Sequence, residues 1–132
     1  MNCMKYWAVL VFPLLLAGCQ SSLVSSLPAS DYQGKVPDGL NQQLLGLNEA
    51  PAQSSRGATT HLIYEEDKAL LTIVEKLRSN RWYWDMNKSE VADNVKFYTC
   101  EQFGAAIDEG LGVRTWFVNG FVTDVISAGD CN

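Results

Sequence analysis

Apolar positions come in distinct runs along this chain. The first spans Tyr6 to Ala17 and is almost unbroken, with Pro13 inside it and Lys5, the single charge before Asp31, ahead of it. A positive start, a short apolar stretch and small residues make up a secretory signal peptide, and the run is too short to span a bilayer comfortably. The last runs alternate: residues 113–118 and 121–126 flank Asn119-Gly120, the strongest short-range hairpin signal here.

Between these, the pattern is mixed. In residues 62–77, Leu62, Ile63, Ala69, Leu70, Ile73, Val74 and Leu77 fall close to helical spacing. Acids lie early and bases late, which suits a helix dipole, so a helix is favoured. The competing reading is two strands joined by a turn at Glu66-Asp67-Lys68, since the flanks are β-branched and aromatic. Residues 81–85, Arg-Trp-Tyr-Trp-Asp, read as a strand. Ser89 caps a helix that carries Val91, Val95 and Tyr98 on one stripe and ends near residues 100–103. The expected fold class is α+β: a small antiparallel sheet, one or two helices on one face, and a C-terminal hairpin.

Residues 20–60 are rich in Ser, Gln, Gly, Ala and Pro, with few charges. Such composition buries too little to offset its ordering entropy, so it reads as a flexible tether. Fully extended, it reaches on the order of 130 Å. One island breaks it: Leu40, Leu44, Leu45 and Leu47 follow Asp38, a cap candidate, at the spacing of a short helix. Whether that island docks on the domain or is transient stays open.

The end of the first apolar run, Leu16-Ala17-Gly18-Cys19, resembles the lipobox of bacterial lipoproteins. The resemblance implies cleavage before Cys19, a diacylglyceryl thioether on its sulfur and acylation of the new amine. Gln20, where inner-membrane lipoproteins carry Asp, implies the periplasmic face of the outer membrane. The expected organisation is a signal peptide over 1–18, a lipidated cysteine and tether over 19–60, and a small domain over 61–132. Removing residues 1–18 leaves 114 and takes Lys5 away, so nine basic residues face fifteen acidic ones and the net charge becomes −6. An acidic surface is neither a nucleic-acid footprint nor attracted to anionic headgroups, so the acyl chains on Cys19 are the expected membrane contact.

Cys3 leaves with the signal and lipid consumes Cys19. The remaining pair, Cys100 and Cys131, reads as a disulfide in an oxidising compartment. Candidate catalytic chemistry is sparse. His61 is the single histidine, and no second histidine or reactive cysteine accompanies it in sequence. Asp108 and Glu109 are adjacent and do not face one another. Glu65, Glu66 and Asp67 read as the solvated acidic first turn of the favoured helix, with weak cation binding as the alternative. The expectation is a binding protein with no cofactor and no metal. The aromatic residues Trp82, Trp84 and Trp116 are the candidate partner surface, with Val95 and Tyr98 of the helix beside them.

The helix over 89–99 ending at Cys100, the passage Ile107-Asp108-Glu109-Gly110-Leu111 into a strand, the hairpin over 113–126 and the near-terminal Cys131 together resemble pilotin lipoproteins of type II secretion systems. That resemblance covers under half the chain. It implies a β-hairpin over 62–74, and a secretin-type subunit bound in a groove between the helix and the sheet, carried to the outer membrane by the pilotin's lipid. The alternative reading is a lipid-anchored inhibitor or immunity protein against a periplasmic hydrolase or toxin, with residues 108–112 or 119–120 as the plug.

Overall fold

A computed structural model describes residues 23–78 and 87–132. Cys19, Trp82 and Trp84, and the strand expected over 81–85, lie outside the described residues. In chain order the elements are helix α1 (Asp38–Gly46) with a 3₁₀ turn (Leu47–Glu49), strands β1 (Gln53–Ser54), β2 (Ala58–Glu65) and β3 (Leu70–Leu77), helix α2 (Lys88–Asp108) and strand β4 (Gly112–Phe117). The fold is a small α+β unit with one disulfide, Cys100–Cys131.

The sheet order is β1-β2-β3-β4. The first two pairings are antiparallel and β3–β4 is parallel, because a long helix lies between those strands in the chain. Residues 62–77 are therefore a hairpin, not the helix that their spacing favours. The reason is double-sided burial. Leu70, Leu71, Thr72 and Val74 are all fully buried, so β3 is apolar on both faces and loses the alternation that marks a half-buried strand. The reversal is a tight turn in which Lys68 N–H donates to Glu65 O and Ala69, at φ 51°, donates to Glu66 O.

The register places Ile63, Thr72 and Arg114 on one face and Tyr64, Leu71 and Val113 on the other. The second face meets both helices: Leu44 of α1 and Ile107 of α2 join Val36, Leu111 and Ile126 over it. The leucine island thus docks on the domain. The first face is crossed by the segment that composition assigns to a tether. Arg114 Nη2 donates to Pro28 O at 2.7 Å, and the ring of Tyr32 occupies the space that a side chain at Gly112 would fill. From Pro28 to Glu49 the chain is therefore part of the packed unit, and the boundary at residue 60 runs through a shared core. Its few apolar residues suffice because the sheet offers two buried faces to receive them.

Helix α2 starts two residues earlier and ends later than its sequence suggests. Asn87, not Ser89, is the cap: its side chain accepts from Ser89 N and Glu90 N. The helix passes Gly104 and stops at Gly110, whose φ of 119° permits the reversal. Leu111 N–H returns to Ala106 O and Gly110 N–H to Ile107 O, a Schellman ending. The hairpin around Asn119-Gly120 forms, with Asn119 taking the positive φ of 67°. Its return limb pairs through two isolated bridges, Trp116↔Val122 and Val113↔Ile126. Three residues advance on β4 against four on the return limb, so the limb carries a bulge and covers the outer edge of β4.

Candidate functional site

The concave surface beside α2 lies against the return limb of the C-terminal hairpin rather than against the sheet, and Trp82 and Trp84 of the expected groove lie outside the described residues. Ala92, Asp93 and Lys96 of α2 face Thr123, Asp124 and Asp130 across a space of about 370 Å³. Of the candidate aromatics among the described residues, neither Trp116 nor Tyr98 lines it. Trp116 is half-buried in β4, in register with Val74 and His61 on the opposite face of the sheet from the main core. Val95 is half-buried on α2, and Tyr98 is 65% exposed. Trp116 and Tyr98 therefore do not form one wall.

What sequence reasoning missed is Phe97. It is 59% exposed and meets Tyr98 edge-to-face, ring centroids 5.5 Å apart. The buried side of α2 runs through Thr99 and Ile107. At 100° per residue, Phe97 points nearly opposite Thr99 and Tyr98 sits at right angles to it. The two rings stand on the water side among Glu90, Asn94 and Glu101, all exposed. The signal was available, since Phe97 is out of phase with the stripe of Val91 and Val95.

A second concave surface lies across the sheet. His61, Ile63 and Glu65 of β2 meet Leu23 and Val24 from the start of the described chain, with Asn48, Ala50 and Asp67 completing a cleft of about 390 Å³. Burial lowers the pKa of His61, and Lys76 pushes in the same direction, so the imidazole favours its neutral form. Beside the cleft, Arg114 is 2% exposed. Its Nε donates to Thr72 Oγ1 at 3.0 Å, and Nη2 stands 3.8 Å from Glu65 Oε1. Desolvation lowers the Arg114 pKa and Glu65 opposes that shift. Glu65 Oε1 accepts no hydrogen bond, while Oε2 lies 3.4 Å from Lys68 Nζ.

The two plug candidates differ. Asp108 and Glu109 are exposed, but Leu111 and Gly112 turn into the core, so residues 108–112 do not project. Asn119 and Gly120 are exposed at a tight turn. Among the described residues no three His, Cys, Asp or Glu side chains gather as a metal site, and no helix is long and apolar enough to cross a membrane. No known family, curated protein or solved structure matches the chain.

Proposed function

We propose that the chain is an outer-membrane lipoprotein, held by acyl chains on Cys19, whose domain binds a protein partner as an assembly or targeting factor for an envelope complex. The observation that carries this reading is the Phe97–Tyr98 pair. Two large aromatic rings stand in water on a helix whose other face is committed to the core. They add nothing to that core, and Tyr is a residue type enriched where interfaces concentrate their energy. A secretin-type subunit is the partner that the pilotin resemblance suggests.

The segment from Pro28 to Val36 forms a strap across the sheet and changes how such a protein works. With Pro28 held to Arg114 and Leu23 set against β2, the span from Cys19 to Leu23 is four residues, about 13 Å at full extension. The domain then operates close to the membrane rather than at the end of a long reach.

Two measurements test the reading. Cys19→Ala releases the protein from the membrane fraction; retention there removes the lipoprotein assignment. Phe97→Ala with Tyr98→Ala lowers partner recovery by roughly thirtyfold, matching about 2 kcal/mol for a truncated interface centre, with an unchanged melting temperature. Unchanged recovery removes the aromatic pair from the interface, and recovery of a hydrolase that the protein inhibits replaces the assembly reading with the inhibitor reading.

A further inference from the structure

We propose that the outward face of α2 binds an amphipathic helix of a partner protein, its basic stripe laid along a row of unpaired carboxylates and a bulky apolar residue seated at Gly104. The proposal rests on the partner-binding reading of the Phe97–Tyr98 pair and names the partner's chemistry at that face.

Glu90, Asn94, Phe97, Glu101, Gly104 and Asp108 follow one another at intervals of four, three, four, three and four residues. At about 100° per residue they form one stripe along the helix, within about 60° of Phe97. It faces away from Thr99 and Ile107, the buried side. Five of the six are exposed and Gly104 is half-buried. This is the spacing of a seam between two helices, where apolar residues ordinarily sit. Here carboxylates take three of the six positions. Among the described residues none of the three forms an ion pair, since both bridges belong to Glu65. The basic residues of α2 lie elsewhere: Lys88 stands over the Phe121 ring and Lys96 faces the return limb. The placement also runs against the dipole of α2. Asp108 and Glu109 are exposed at its C-terminal end, and the last turn holds no base. A helix alone is destabilised by such acids, and cations brought by a partner offset them.

The face itself selects the occupant. The backbone of α2 is bonded internally, so this surface offers no N–H or C=O to an extended segment. The occupant must satisfy its own backbone, as a helix does. Gly104 has open space where a Cβ would stand. Two turns from the Phe97 ring there is therefore a hollow, and a ridge followed by a hollow is what a second helix packs against. Charge excludes a second copy, which would set carboxylates against carboxylates on a processed chain of net charge −6. The complement is a different chain, basic along its stripe. From Glu90 to Asp108 is 18 residues, about 27 Å, so about five turns of the partner engage.

The test uses the whole mature lipoprotein in non-ionic detergent micelles and a blocked peptide of three Lys-Ala-Ala-Leu-Lys-Ala-Ala repeats. The amides of residues 94–105 shift saturably, and the peptide gains helical circular dichroism beyond that with empty micelles. Affinity falls as salt rises. Glu101→Lys weakens binding about tenfold. Gly104→Leu weakens it by about the same factor with the fold intact, because the added side chain enters open space. Glu101→Lys with Asp108→Lys binds the same peptide with Glu in place of Lys, which the parent does not. No saturation at millimolar peptide overturns the proposal. So does equal binding of a peptide whose residues are shuffled off the stripe, or unchanged affinity in Gly104→Leu. Concentration-dependent shifts of residues 94–105 without peptide assign the face to a second copy and overturn it too. A recovered partner that is lost with Phe97→Ala and Tyr98→Ala, but kept with Glu101→Lys and with Gly104→Leu, overturns the helix site alone. Peptide binding without any recovered partner overturns the assembly reading instead.

Discussion

The side-chain amide of Asn48 pairs with the backbone of Tyr64 as a strand would. Its Nδ2 donates to Tyr64 O at 3.0 Å and its Oδ1 accepts from Tyr64 N–H at 2.7 Å. Tyr64 is buried, and its hydroxyl donates to Asn41 Oδ1 at 2.7 Å, so α1, the 3₁₀ turn and β2 meet at this residue. Asn48→Ala leaves a buried donor and acceptor without partners, which costs about 1–3 kcal/mol. Urea denaturation measures it. Asn48→Asp keeps the acceptor and loses the donor, so it lies between the two. Equal stability of Asn48→Ala and the parent would show that water replaces the amide without loss.

Arg114 holds the strap to the sheet. Among the described residues its polar contacts are Thr72, Pro28 and, more distantly, Glu65, and the guanidinium is almost wholly out of water. Arg114→Met removes the donors to Pro28 and Thr72 and one of the two cations beside Glu65, which keeps Lys68 at 3.4 Å, a loss of about 1–3 kcal/mol. Limited proteolysis reads the specific consequence: cleavage within residues 23–34 becomes fast while the sheet stays protected. Arg114→Lys does not restore protection, because one ammonium does not span the Thr72 and Pro28 positions of a fork. Slow cleavage in both variants means that other contacts hold the strap.

These contacts mark the boundary of what was legible. The hairpin at Asn119-Gly120 and the Cys100–Cys131 pair carry local or arithmetical signals, and both are present. Residues 62–77 misread because β3 is buried on both faces, and a strand without alternation shares its apolar density with a helix. The strap misread for the opposite reason. Residues 28–36 are held by single long-range bonds, Tyr32 Oη to Gly110 O and Gly34 N to Lys68 O among them, and composition carries no trace of such bonds. The polar groove followed from α2 presenting Asp93 and Lys96, rather than Val95 and Tyr98, to the return limb. The Asn48 device had no signal at all, since nothing local distinguishes that asparagine.

The helix ending at Gly110 is sensitive to any side chain. Its φ of 119° strains L residues, and an added Cβ falls against the carbonyl oxygen of Lys35. Gly110→Ala therefore opposes both the Schellman turn and the approach of the strap, and costs about 2–4 kcal/mol. Chemical denaturation tests this. Gly104, also in α2, has open space where a Cβ would go. Gly104→Ala stabilises by up to about 1 kcal/mol, so the two substitutions differ in sign. Matching effects would mean that Gly110 adopts another conformation in solution.

The disulfide ties mid-α2 to the penultimate residue across a separation of 31. Closing a loop of that length contributes roughly 3–4 kcal/mol by restricting the unfolded chain. Cys100→Ser with Cys131→Ser lowers stability by that amount, read as a drop in the denaturation midpoint. In the parent, reductant produces the same shift; in the double variant it produces none. A residual effect of reductant on the double variant would assign part of the shift to another cysteine.

Glu75 gives the fold a pH dependence with a definite sign. It lies opposite Thr60 on one side and Phe117 on the other, and Thr60 Oγ1 donates to its carboxylate at 2.9 Å. Burial raises its pKa above the ordinary 4.5, and the Thr60 hydrogen bond offsets part of that rise. In the window between 4.5 and the raised value, the folded chain holds a proton that the unfolded chain has released. The contribution of this group to stability therefore falls as pH rises through that window, and the cost of burying the charge persists above it. Glu75→Gln keeps an acceptor for Thr60 and removes the charge. The variant melts at a higher temperature than the parent at pH 7, and the difference shrinks as pH drops below 4.5, where the parent carboxyl is neutral in both states. A variant that melts lower at pH 7 would show that the charged hydrogen bond to Thr60 outweighs desolvation, reversing the order of the two causes.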